Sequence, residues 1–385
     1  MTKTPTLGAV AAALEGLYPR GWAAPGDPVG LVVGDPALEV RRIHFAVDPV
    51  QSVVDEAIAA GADLLVVHHP LLFRAVHTVA ADSPKGRVVH DLISHGIGLY
   101  VAHTNADSPP GGVSESMALA LGLTDLRPLE PEPSEPLDKL VTFVPHAHTE
   151  AVVDALSAAG AGAIGDYERC AFLGEGQGTF RPGAAANPTI GTPGETEVVD
   201  EHRVEMVLAR RLRGGVVDAL RAAHPYEEPA FDVLELASWP GERGTGRIGR
   251  VAEPMTLRTF VDQVAAALPP TAVGARVSGD LDASVQTVGL VGGSGDFMLE
   301  AARVAGVDVY VTSDLRHHPA SEAREHPGAP ALVDVPHWAA EWTWLPVAEE
   351  RLQDSLQQSG YAVESTVSRL CTDPWNYRSA SGGAT

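Results

Sequence analysis

A chain of 385 residues, 45% of them hydrophobic, is long enough for two or three domains and can bury full cores without disulfide support. Its 50 acidic against 27 basic residues give a formal charge of -23 that repels polyanions, and no basic run supplies the local patch that nucleic acid requires. Cys170 and Cys371 lie far apart and outside any CxxC pair, and no apolar run reaches the roughly 18 residues of a membrane span, so the expectation is a globular protein of a reducing, cytoplasmic setting.

In chain order, the opening MTKTPTLGAVAAALEGLYPRGW has an apolar run broken by Glu15 and no cleavage site, which argues against export. Residues 38–124 then predict successive βαβ units: strand VRRIHFAV, helix VQSVVDEAIAAG, strand DLLVV, helix GRVVHDLISHG, strand IGLYVAH and helix GGVSESMALALGL. EPEPSEP (130–136) reads as a linker. From Lys139 the order becomes strand, helix, two strands, helix and strand, ending in AFDVLEL, which is the split-βαβ, ferredoxin-like pattern of an inserted α+β domain. SWPGERGTG reads as a turn-rich return linker. Residues 284–350 repeat the first grammar, with SVQTVGLV, the turn GGSG, helix DFMLEAARVAG, strand VDVYVTS, a short helix near PASEAREH, strand ALVDV and helix HWAAEWTW. The predicted organisation is an N-terminal α/β half (1–135), an insert (136–237) and a C-terminal α/β half (238–385), with RSASGGAT disordered at the end.

Three of these strands end in groups that bind metals. His68 and His69 follow DLLVV, Asp107 follows LYVAHTNA, and His337 and Glu341 open the helix after ALVDV at i,i+4 spacing, on one helical face. Adjacent histidines on a strand point to opposite faces, so both serve one site only if the chain has left the strand by then, as Pro70 encourages. Three imidazoles and two carboxylates suit two divalent ions, zinc, iron or manganese, with Asp107 and Glu341 bridging. A water bound between two such ions loses its proton near neutral pH and becomes a nucleophile. His103, Asn105, Asp314, His317 and His318 also follow strands, and His103 and His318 are the candidate proton-transfer residues. HPYEEPAFD (224–232), with three acids beside a histidine and a tyrosine, reads as a surface loop of the insert.

DLLVVHHPLLF, VAHTNAD followed by GGV, GLVGGSG, VYVTSDLRHH and the late HWAAE occur in the order seen in the GTP cyclohydrolase I type 2, or Nif-three-like, family, which the chain resembles over essentially its whole length. The resemblance implies two Nif-three-like α/β halves interrupted by a domain similar to PII and CutA proteins. It also implies two metals on His68, His69, Asp107, His337 and Glu341, and a ring-shaped homohexamer with the sites facing an internal cavity. Ser313, Pro336 and WAAPGDPVG depart from the family pattern. The expected activity is metal-dependent hydrolysis of a small molecule, with GTP as the substrate the family name suggests. Arg74, Lys85, Arg87 and Arg316 are the cations available for a triphosphate. The competing expectation is a non-enzymatic metal-binding protein, regulatory or metal-handling, whose PII-like insert binds a ligand or partner.

Overall fold

The computed structural model describes residues 3–379, so the end of RSASGGAT, from residue 380 on, lies outside the described residues. Two compact units emerge, one formed by residues 1–132 with 242–385 and the other by residues 133–241.

The first unit contains two sheets. In one, the strands run in the order Gly30–Val33, Gly98–Val101, Leu64–Val67, Arg42–Ala46 and Glu364–Val367, the first antiparallel to its neighbour and the other four mutually parallel. Strands Leu64–Val67 and Gly98–Val101 are buried at every position, as befits parallel strands covered on both faces. Alternation sends Leu64 and Val66 into one apolar cluster and Leu65 and Val67 into another. In the other sheet the order is Arg276–Ser278, Ala331–Asp334, Val309–Ser313, Ser284–Ser294, Pro240–Thr256 and Thr124–Pro133, with the Ser284, Val309 and Ala331 strands parallel. Val288, Leu290, Val309, Val311 and Val333 join Leu64, Val66 and Tyr100 in a single cluster around Trp344, so the N- and C-terminal halves share one core. Among the described residues no helix is long and apolar enough to cross a membrane.

Both expected linkers are in part strand. Glu130–Pro133 ends strand Thr124–Pro133, and Pro240–Gly246 begins strand Pro240–Thr256. Proline is tolerated in the former because that strand is the sheet's edge, where a missing N–H costs no ladder bond. The glycines of GERGTG serve close approach: a side chain at Gly244 would collide with Glu130 and Pro131, and Gly246 sits at φ 64°.

In the unit 133–241 a fully antiparallel sheet runs in the order Phe172–Phe180, Glu197–Ala209, Leu137–Pro145, Phe231–Glu235. Helices Thr149–Ala158 and Arg213–Ala223 bury Leu140, Val144, Val204, Met206 and Leu208 on one face of it. Chain order is β-α-β-β-α-β.

Candidate metal centre

Strand Leu64–Val67 ends one residue before His68, so neither His68 nor His69 obeys strand alternation and both rings reach the same space, with centroids 5.1 Å apart. Asp107 closes the short helix Thr104–Asp107 after strand Gly98–Val101, and helix His337–Trp342 carries His337 and Glu341 one turn apart. All five residues predicted from the sequence therefore meet.

Each of the three imidazoles is fixed through one ring nitrogen and turns the other inward. His68 Nδ1 donates to the Ala102 carbonyl at 2.8 Å, His69 Nδ1 to Asp48 at 2.7 Å and His337 Nδ1 to Asp314 at 2.6 Å. Those oxygens only accept, so every Nδ1 carries its proton and every Nε2 turns inward. The inward donors fall into two groups that share Glu341. His337 Nε2 lies 2.8 Å from Glu341 Oε1 and 3.2 Å from His69 Nε2, while His69 Nε2 lies 3.0 Å from Glu341 Oε2. His68 Nε2 lies 3.4 Å from Glu341 Oε1 and 3.6 Å from Asp107 Oδ1. Glu341 thus lies beside all three imidazole nitrogens, whereas Asp107 reaches only the His68 side.

Asp107 Oδ1 and Glu341 Oε2 are shut off from solvent and are left without a well-formed hydrogen bond from the described residues, although His69 Nε2 comes within 3.0 Å of Oε2. Two orphaned carboxylate oxygens beside three inward imidazole nitrogens form a donor set that fits borderline divalent cations, and without a cation each orphan carries its full desolvation penalty. The nitrogens of His68, His69 and His103 likewise lie within 4.8 Å of one another.

Electrostatics make protons and cations rivals for this space. Burial acts to lower the His69 pKa, but the Glu341 charge and the Asp48 hydrogen bond outweigh it and push the ring up to about 11. His337 is raised in the same way, against burial, by Glu341 and Asp314, to about 10. Burial would raise Glu341, yet the surrounding imidazoles hold it well below the carboxylate range. Burial raises Asp107. Both histidine values exceed the ordinary 6.5, so in metal-free protein their contribution to stability is complete below about pH 6.5 and is lost as pH climbs through 10 to 11. Metal needs neutral imidazoles and binds more tightly over that same rise. We expect the Tm difference between metal-loaded and chelator-treated protein to widen steadily from about pH 6.5 to pH 9; a constant or shrinking difference in differential scanning fluorimetry would contradict this.

His103 stands at the rim. Its Nδ1 donates to Asp27 at 2.9 Å, its ring centroid is 5.2 Å from that of His68, and it lines a cavity of about 550 Å³ together with Asp107, His337 and Glu341. Asn105 is structural: its amide donates to the Tyr18 carbonyl at 2.7 Å and its oxygen accepts the His103 N–H. His317 and His318 are exposed on helix His317–Glu325, outside the residues lining the cavities at the centre, so the structure does not bring His318 to the site. The strand ends at Ser313, and helix His317–Glu325 begins after three intervening residues with His317 and His318 exposed, whereas Asp314, in left-handed backbone at φ 56°, reaches His337. The nominated phosphate cations also lie elsewhere. Arg74, Lys85 and Arg87 are exposed, and Arg316 pairs with Asp296. The cations that line the cavities are Arg243, stacked 5.3 Å over Trp22 and 2.6 Å from Glu132, and Arg276, paired with Asp334.

Sequence reasoning missed Asp27, Asp48, Arg243 and Gly293. Asp48 follows strand Arg42–Ala46 as the ligand motifs follow theirs, and that rule would have found it. Gly293 of the GGSG turn, at φ 77°, leaves room for Glu341 Oε1, which any side chain there would strike. Asp27 lies in a Pro/Gly loop with no periodic signal.

The same fold and length recur in known proteins. A protein of Mycobacterium tuberculosis named GTP cyclohydrolase 1 type 2 homolog is 49% identical over 364 residues, 94% of each chain, and its Bacillus subtilis namesake is 37% identical over 94% of this chain and 96% of its own. The crystal structure of a Bacillus cereus protein related to NIF3 superposes with a TM-score of 0.81 at 37% identity, covering 98% of this chain and all of that one. The profile of Duf34/NIF3 (NGG1p interacting factor 3) matches residues 5–374, and with that extent of agreement the chain belongs to the Duf34/NIF3 family.

Proposed function

We propose that the protein is a hydrolase dependent on two divalent ions, held by His69, His337 and Glu341 on one side and by His68, Asp107 and Glu341 on the other. The observation that carries this reading is the pair of orphaned oxygens, Asp107 Oδ1 and Glu341 Oε2, facing three imidazole nitrogens whose partner nitrogens are all engaged. Ions bound there supply Lewis acidity, activating water and polarising the group under attack.

The chain's own residues do the rest. Asp48 and Asp314 fix the His69 and His337 rings, and Asp27 orients His103 so that its Nε2 faces the cavity as the proton donor to a leaving nitrogen or oxygen. Trp22 offers a ring face and Arg243 a cation in that same cavity, which suits a planar, anionic small molecule such as a nucleotide. GTP is the first substrate because the relatives' name gives it; one water at the purine C8 would open the ring by breaking C8–N9 to leave a formamide, and a second water breaking C8–N7 would release formate. The homohexamer and the cytoplasmic setting belong to this proposal, and light scattering on purified protein tests the former. The β-α-β-β-α-β order of residues 133–241 supports the PII/CutA-like reading of the insert.

The experiment is to strip the protein, restore zinc, iron or manganese singly, and assay formate release from GTP beside panels of phosphoesters and amides. Turnover with one metal that falls about 100-fold or more in His103→Ala supports the assignment. No turnover of any compound by fully reloaded protein sinks the hydrolase reading while leaving the metal centre standing.

A further inference from the structure

The unit 133–241 carries a cavity of about 610 Å³ that the metal centre does not use. Its floor is the sheet face opposite the two helices. Alternation puts Phe143, Glu201 and Arg203 on that face, and register pairs Glu201 with Gly176 and Arg203 with Gly174. Glycines at 174, 176 and 178 leave strand Phe172–Phe180 bare there, which is what opens the space. The loop of HPYEEPAFD and the segment after Phe180 close over it, tied together by the Thr189 hydroxyl donating to the Pro225 carbonyl at 2.6 Å and the Asn187 N–H donating to Glu227 at 3.2 Å. The expected surface loop is therefore a wall of the cavity.

The decisive group is Glu201. It is only 6% exposed and lines the cavity, yet no lysine, arginine or histidine among the described residues forms an ion pair with it. Tyr226 donates to Oε1 at 2.7 Å, while Oε2 accepts no hydrogen bond from the described residues and rests beside Gly178, where a Cβ would collide with it. The neighbouring cations are committed elsewhere. Arg203 donates to Glu205 at 2.8 Å and stacks over Phe143, and Arg181 donates to the Thr196 hydroxyl at 2.8 Å. His224 is held neutral: Nε2–H donates to the Phe143 carbonyl at 3.0 Å and Nδ1 accepts the Tyr226 N–H at 3.1 Å. A buried carboxylate with one open oxygen and no counter-charge is costly, and the space in front of it is walled by Phe180 and Tyr226, whose rings meet edge-on at 5.5 Å.

We propose that this cavity binds a small organic ammonium compound, its charged N–H group donating to Glu201 Oε2 and its apolar body lying against the Phe180 and Tyr226 rings. Both the carboxylate and the aromatic faces favour a cation over a neutral molecule of the same shape.

The test uses the full chain and two probes of matched shape, tryptamine and its neutral counterpart tryptophol, titrated by calorimetry and ligand-observed NMR. Tryptamine is expected to bind with a dissociation constant on the order of 1 mM or tighter, at least about tenfold tighter than tryptophol. Glu201→Gln should erase that preference. Gly176→Leu places its side chain in open space, since a Cβ there meets nothing within 4 Å, so it should fold normally and block both probes. Failure of tryptamine to bind, equal binding of tryptophol, or binding that survives Gly176→Leu in a variant of unchanged circular dichroism would each overturn the assignment.

Discussion

Glu341→Gln is expected to empty the metal centre, taking occupancy from the proposed two ions per chain to near zero at stoichiometric metal. Its two oxygens lie within 2.8 to 3.4 Å of all three imidazole nitrogens, so each proposed ion loses an anionic ligand at once. An amide keeps the size but not the charge, and its N–H₂ group presents donors where a cation must sit. The loss should exceed the roughly 10–100-fold that follows removal of an outer hydrogen-bond partner, which is the effect expected of Asp48→Asn. Asp107→Ala, by contrast, should empty only the His68 side. Titration with a chromophoric chelator in competition separates the three variants; full occupancy in Glu341→Gln would remove this carboxylate from the centre.

Arg247→Met is expected to cost about 3–5 kcal/mol of stability, the range for breaking a buried charge network from one side. The Arg247 side chain is 1% exposed and makes four bonds: Nε to Glu115 at 2.9 Å, Nη1 to the Gly244 and Gly246 carbonyls at 2.9 Å each, and Nη2 to the Ser108 carbonyl at 3.1 Å. Methionine fills similar volume but removes all four of these donations, leaving the Ser108 carbonyl only the Gly244 N–H and Glu115 only the Gly111 N–H. Ser108 follows Asp107 directly, so the substitution also frees the segment that holds that ligand, and the His68 side should lose metal first. Urea unfolding of chelator-treated protein measures the stability change independently of metal; a cost below about 1 kcal/mol would show that water replaces the guanidinium without difficulty.

Periodicity made the centre of each sheet legible because those strands are buried on both faces and read as uninterrupted apolar runs, LLVV and VYV among them. It failed at one edge strand and its neighbour. Strand Thr124–Pro133 ends in PEP, and strand Pro240–Thr256 begins with PGERGTG, compositions that signal turns unless the partner strand is known. The clustering of His68, His69, Asp107, His337 and Glu341 was legible for a different reason: imidazole and carboxylate pairs at strand ends are chemically conspicuous even when each motif alone is weak. Their supports were not, because Asp27, Asp48 and Arg247 act through contacts 21 to 139 residues away in sequence. His318 misled through the same strand-end rule that succeeded for His69, since the rule locates a loop but not the direction a side chain takes from it.

The most direct measurement of the central claim is the metal content of protein purified natively, reloaded with excess zinc, iron or manganese and freed of loose ions, read by elemental analysis and by anomalous scattering from crystals. Two ions per chain are expected, both among His68, His69, Asp107, His337 and Glu341 and both in contact with Glu341. One ion or none per chain after reloading with each metal, or anomalous peaks away from those residues, would contradict it.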